Sequence, residues 1–142
     1  MLFLTTTAAF LFSLSAKLVA DAFLSERFPL LGSFVGFQYA TNPGVAFSIR
    51  FPGPLQNILI AVALLLLLWA AARAQTRLSR IAFGLILGGA AANIADRLRD
   101  GVVTDFLQIS SFPIFNIADS CITIGVFLLL IESFWQWKAK RR

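Results

Sequence analysis

Four long apolar stretches leave this 142-residue chain few ways to fold. A hydrocarbon core about 30 Å thick needs roughly 20 consecutive apolar residues in a helix. Runs read as spans fall at about 2–24, 55–72, 81–95 and 116–135, the third of them shorter than that. Hydrophobic residues make up 58% of the chain and charged residues 13%, and the mean hydropathy is +0.82, far from a soluble domain. The expected fold is an all-α integral membrane protein: four transmembrane helices in one membrane-embedded domain spanning residues 1–142. Four spans leave only loops and tails, with no room for a separate soluble domain. The first run is expected to stay as a span and not to be cleaved as a secretory signal. It lacks a basic leading segment, and Leu18-Val19-Ala20 carries a large residue where a signal peptidase wants a small one.

Between about 34 and 51 the pattern changes to period two. Val35, Phe37 and Tyr39 alternate with Gly36, Gln38 and Ala40, and Val45, Phe47, Ile49 and Phe51 alternate with Ala46, Ser48 and Arg50. Alternation of this kind predicts two strands. Thr41-Asn42-Pro43-Gly44 lies between them, with Pro43 fixing φ and Gly44 free to take the positive φ of a type II turn. A small extracytoplasmic β-hairpin or cradle is therefore expected, ended by Pro52-Gly53-Pro54. In the third span Gly84, Gly88, Gly89 and the run Ala90 to Ala92 allow close helix contact.

Four spans place both termini on one side. Arg73, Arg77, Arg80, Lys138, Lys140, Arg141 and Arg142 share that side, against Arg27, Arg50, Arg97 and Arg99 opposite. The positive-inside rule makes the richer side cytoplasmic. The net charge of +5 follows from this topology and not from a nucleic-acid surface, since the basic residues form no aromatic-interleaved stripe. Trp69, Trp135 and Trp137 read as interface anchors.

One cysteine, Cys121, and no histidine exclude an internal disulfide and the commonest zinc ligands, so any catalysis falls to carboxylates, hydroxyls or Lys17. Four of the seven acids, Asp96, Asp100, Asp105 and Asp119, lie near the expected outer edge. Asp96 and Asp100 are interleaved with Arg97 and Arg99, which suggests a neutralising network at a helix end. Asp105 and Asp119 have apolar neighbours instead. Ionisable groups at a bilayer are costly and tend to carry function. If the two meet, their repulsion keeps one protonated while the other is charged, the arrangement of an aspartic peptidase. Equally, the two could cap helices or pair with Arg97 and Arg99.

Three ordered blocks carry a resemblance: Gly88-Gly89-Ala90-Ala91-Ala92-Asn93-Ile94-Ala95-Asp96-Arg97-Leu98, Gly101-Val102-Val103-Thr104-Asp105-Phe106 and Phe115-Asn116-Ile117-Ala118-Asp119-Ser120. With Asn42-Pro43-Gly44-Val45-Ala46-Phe47-Ser48, they resemble the bacterial lipoprotein signal peptidases, the signal peptidase II family. The resemblance implies cleavage of prolipoproteins just before a diacylglyceryl-modified cysteine, by two aspartates without metal or cofactor. Carried over by motif, the catalytic pair is Asp105 and Asp119. Asn42, Gly89, Asn93, Arg97 and Asn116 support the dyad or contact substrate, and Lys17 and Asp96 are structural. It also implies a bacterial cytoplasmic membrane location, an active site at the extracytoplasmic edge, contact with membrane lipids and a monomer. The chain departs from the family at Ser13, where an acid usually pairs with Lys17, and mildly at Val45 and Thr104.

Other readings compete. A small ion or proton pathway subunit would use the acids as a vestibule, and a membrane scaffold would not need them. Ser13 and Lys17, four apart on one helix, have the spacing of a Ser-Lys hydrolase. More simply, Lys17 lays its stem along lipid or a neighbouring span and finds a polar partner, and Cys121 is a small core residue.

Overall fold

The computed structural model describes residues 1–45, 49–52 and 54–141. The order of elements is α1 (Leu2–Phe23), β1 (Phe28–Leu31), β2 (Val35–Asn42), α2 (Leu55–Ala72), α3 (Arg77–Asp100), β3 (Val103–Ile109) and α4 (Ile117–Lys140). All four helices are long and apolar enough to cross a membrane. Most of their large apolar side chains point outward, among them Phe3, Phe12, Leu65, Leu66, Phe127 and Leu130. Outward-facing Leu and Phe are at home in lipid, so the helices must associate through close packing and polar contacts.

The central element is α3, which packs against both α1 and α4, whereas α2 rests chiefly on α3. Small residues make this possible. A Cβ placed on Gly88 would sit 2.5 Å from the Thr6 carbonyl of α1, and one on Gly89 would sit 2.5 Å from the Ala118 carbonyl of α4. The helix begins at Thr76, whose hydroxyl accepts the Ser79 amide at 3.0 Å. It ends at Gly101, in the left-handed region with φ 82°, whose amide closes on the Arg97 carbonyl. The helix thus runs beyond 81–95 at both ends, and its last turn carries Asp96, Arg97, Arg99 and Asp100.

The expected hairpin is corrected in its pairing. β2 is a strand as the alternation requires, but its neighbours are β1 and β3 in an antiparallel sheet of order β1-β2-β3. The stretch expected as its partner is not a strand where it is described: Val45, Ile49, Arg50 and Phe51 lie outside the sheet, and residues 46–48 are outside the described residues. Instead Ala40 pairs with Asp105, Thr41 with Thr104 and Asn42 with Val103. At the end of β2 the Asn42 side chain closes the turn by accepting the Gly44 amide at 3.0 Å. β1 holds the sheet edge with all four residues exposed and Pro29 within it, a position where a missing N–H costs nothing.

Past β3 the chain turns back on itself. The amides of Phe106 and Leu107 donate to the Phe115 carbonyl at 2.9 and 2.7 Å, and the Phe115 amide returns to the Leu107 carbonyl at 3.1 Å. These bonds fix the start of α4 against the middle of β3.

Candidate active site

That clasp brings Asp105 and Asn116 side by side, because each lies one residue from a clasped position. Asn116 caps α4: its Oδ1 accepts the Asp119 amide at 3.0 Å, and Asp119 Oδ2 accepts the Asn116 amide at 3.3 Å. The two form a reciprocal capping box. The remaining Asn116 donor, Nδ2, reaches Asp105 Oδ1 at 2.6 Å and Asn93 Oδ1 at 3.3 Å. Asn93, on α3, donates Nδ2 to Asp119 Oδ1 at 2.9 Å. Asp105 and Asp119 are therefore joined through two carboxamides supplied by α3 and by the cap of α4.

The helix-capping alternative is thus true of Asp119, but of one oxygen only; Oδ1 faces Asn93. The arginine-pairing alternative is not met, since among the described residues the ion pairs of these acids involve Asp21, Asp96 and Asp100 and neither Asp105 nor Asp119. Asp105 is 3% exposed. Burial pushes its carboxyl up to about 6, against the opposing pull of the Asn116 hydrogen bond. Asn42 also faces Asp105.

Both aspartates line a cavity of about 730 Å³ together with Asn42, Asn93 and Arg97. Away from the carboxylates its walls are apolar: Ile60, Ala63, Leu64 and Leu67 from α2, and Ile122 and Ile124 from α4. An apolar groove ending in a few convergent polar groups is the usual form of a ligand site. Arg97 borders it and donates to the Gly44 carbonyl and to the Asn93 carbonyl at 3.4 Å. It therefore ties the turn after β2 to α3, and leaves the neutralising network expected around Asp96. Gly89 does not face the carboxylates. It lets α4 approach at Ala118, next to Asp119.

A second polar layer lies behind the first. Lys17 has no exposed side-chain surface and pairs with Asp96 at 3.0 Å, also donating to Asn93 Oδ1 at 2.7 Å. Asp96 accepts the Thr104 amide at 2.6 Å, and Arg99 approaches its other oxygen at 3.3 Å. Two participants had no role assigned from sequence, Asp21 and Thr104, the latter noted only as a mild departure from the family pattern. The Thr104 hydroxyl donates to Asp21 at 2.9 Å, and Asp21 pairs with Arg99 at 2.6 Å. The available signal was that Asp21 follows Lys17 by one helical turn and so shares its face. Ser13 is buried and its Oγ has no hydrogen-bond partner, although it lies beside the Cys121 thiol. With Lys17 engaged by Asp96 and Asn93, the Ser-Lys arrangement is not formed.

Comparisons with known proteins place the chain in a family. The profile described as Signal peptidase (SPase) II matches residues 5–135. The lipoprotein signal peptidase of Nostoc punctiforme is 41% identical over 133 residues, spanning 89% of this chain and 84% of that protein. That of Moorella thermoacetica is 38% identical over 108 residues, spanning 74% and 72%. Among solved structures, a bacterial membrane enzyme determined by the in meso method at 2.3 Å superposes with a TM-score of 0.87 and 27% identity, over 98% of this chain and 90% of that one. A second, at 1.9 Å, gives 0.81 and 28%, over 92% and 90%. The chain belongs to the signal peptidase II family.

Proposed function

We propose that this chain is a membrane aspartic endopeptidase that removes the signal peptide from diacylglyceryl-modified prolipoproteins by cutting before the lipidated cysteine. The observation that carries this reading is that Asp105 and Asp119, bridged by Asn116 and Asn93, stand at the polar end of an apolar groove. Relatives named lipoprotein signal peptidases supply the substrate class. The chain resides in the bacterial cytoplasmic membrane, with both termini inside, the sheet and dyad at the extracytoplasmic edge, and acts as a monomer.

The chemistry divides between the two carboxyls. Both oxygens of Asp119 accept N–H donors, an arrangement suited to a carboxylate acceptor. Asp105, whose burial favours the neutral form, holds the shared proton. A water between them gives a proton to Asp119 as its oxygen attacks the scissile carbonyl carbon, and Asp105 donates to the oxygen that gains charge. Collapse of the tetrahedral intermediate breaks the C–N bond, and the departing amine takes a proton from Asp119. Asp105 then recovers its own from the new carboxyl group. The bound amides hold the two acids at fixed separation, so little reorganisation is needed.

Specificity follows from anchoring. Acyl chains of the substrate lie in the groove between α2 and α4, and binding energy from this non-reacting part positions the peptide bond. The decisive experiment incubates detergent-purified protein with lipidated and unlipidated precursor, comparing wild type with Asp105→Asn and Asp119→Asn. Wild type should cut the lipidated form before its cysteine, and each amide variant should lose about 10²- to 10⁴-fold in rate. Folded variants that cleave at the wild-type rate would sink the dyad, and equal cleavage of both precursors would sink the anchoring.

A further inference from the structure

Lys17 lies outside the groove, yet its contacts run toward both carboxylates. An ammonium group only donates, so the oxygen of Asn93, 2.7 Å away, is held toward Lys17. The Asn93 amide nitrogen is then directed at Asp119 Oδ1. The same Asn93 oxygen accepts from Asn116 Nδ2, the group that also holds Asp105. A second arm runs from Lys17 through Asp96 to the backbone amide of Thr104, the residue before Asp105. At residue 13, one turn before Lys17, a serine stands instead of a carboxylate, and the acid one turn after it, Asp21, is taken by Arg99 and Thr104. Asp96 is thus the one carboxylate paired with this buried cation among the described residues.

We infer that Lys17 is a positioning residue of the dyad: it fixes the orientation of the Asn93 amide so that Asp119 receives its N–H. The inference rests on the aspartic peptidase reading. A purely structural ion pair, joining α1 to α3, would explain the 3.0 Å contact but would give no reason for a second bond to a dyad amide.

The two differ in what happens when the pair is removed whole. Lys17→Met alone strands a buried charge and risks unfolding, whereas replacing both partners together is far better tolerated. The test therefore measures thermal unfolding, kcat and KM on lipidated precursor for Lys17→Met and for Lys17→Met/Asp96→Asn. Positioning predicts that the folded double variant loses about 10- to 100-fold in kcat, as loss of an outer orienting partner does elsewhere, with KM within about twofold of wild type. In an Asn93→Ala background the same double change should cost less than about twofold further, because the amide it orients is gone. A folded double variant with wild-type kcat overturns the inference, as does a full additional loss in the Asn93→Ala background. If wild type is inert, or Asp105→Asn cuts normally, the peptidase reading itself has failed. Active wild type, inactive Asp105→Asn and unimpaired Lys17 variants would refute the positioning role alone.

Discussion

Asn116 donates to Asp105 at 2.6 Å while its own oxygen caps the amide of Asp119, so one fully buried side chain serves both a helix terminus and a carboxyl on a strand. Asn116→Ala removes both services. Loss of the cap should cost about 0.5–2 kcal/mol, and leaving the buried Asp105 oxygen without its donor about 1–3 kcal/mol more. The variant is expected to melt well below wild type in detergent and to lose cleavage. An unchanged melting temperature would show that the bridge carries no stability.

The Asp105 carboxyl, raised by burial from 3.8 to about 6, is more easily protonated folded than unfolded. Its stabilising contribution is therefore complete below about pH 3.8 and is lost as pH rises through about 6. Asp105→Asn, which stays neutral, should unfold at a higher temperature than wild type at pH 8, and the gap should narrow toward pH 4. A gap independent of pH would mean that no buried charge is being relieved. The same titration should give wild-type cleavage a falling limb on the alkaline side of pH 6.

Gly89 faces the Ala118 carbonyl so closely that an added methyl would stand at 2.5 Å. Gly89→Ala must push α4 from α3, at a cost of about 1–3 kcal/mol for overpacking. Because Ala118 precedes Asp119, kcat should fall more than stability alone accounts for. Wild-type kcat in a folded Gly89→Ala protein would show that the dyad tolerates a shifted α4.

Ser13→Ala deletes a buried hydroxyl whose polar neighbour is the weakly hydrogen-bonding Cys121 thiol. It should leave cleavage unchanged and shift stability by no more than about 1 kcal/mol, since a thiol is only a weak partner for the hydroxyl. Loss of cleavage on this change would revive a nucleophilic serine.

The four spans were legible because bilayer length writes itself directly into hydropathy, whereas the cap at Asn116 emerged only with the structure, although an Asn three residues before an Asp carries that signal. β3 was not legible. Val103, Thr104, Asp105 and Phe106 are all buried, so no polar face gives the strand a period of two. The alternation in β2 was real, but an Asn-Pro-Gly turn pointed to the nearest following strand, while the actual partner lies beyond two helices. Non-local pairing leaves no local signal. Asp105 and Asp119 were put forward through their motifs, and they line one cavity. The burial of Lys17 against Asp96 and the turn of Arg97 toward Gly44 depend on helix packing that no spacing encodes.

The groove walled by α2 on one side and α4 on the other has a consequence for how its reaction should be counted. If the substrate's acyl chains enter this groove from the bilayer, as proposed, the substrate never samples the aqueous volume and its effective abundance is a surface density. Diluting an assay with detergent or added phospholipid at constant bulk concentration should then slow the enzyme as surely as removing substrate. Rates for such a protein become comparable only when expressed per mole fraction of lipid.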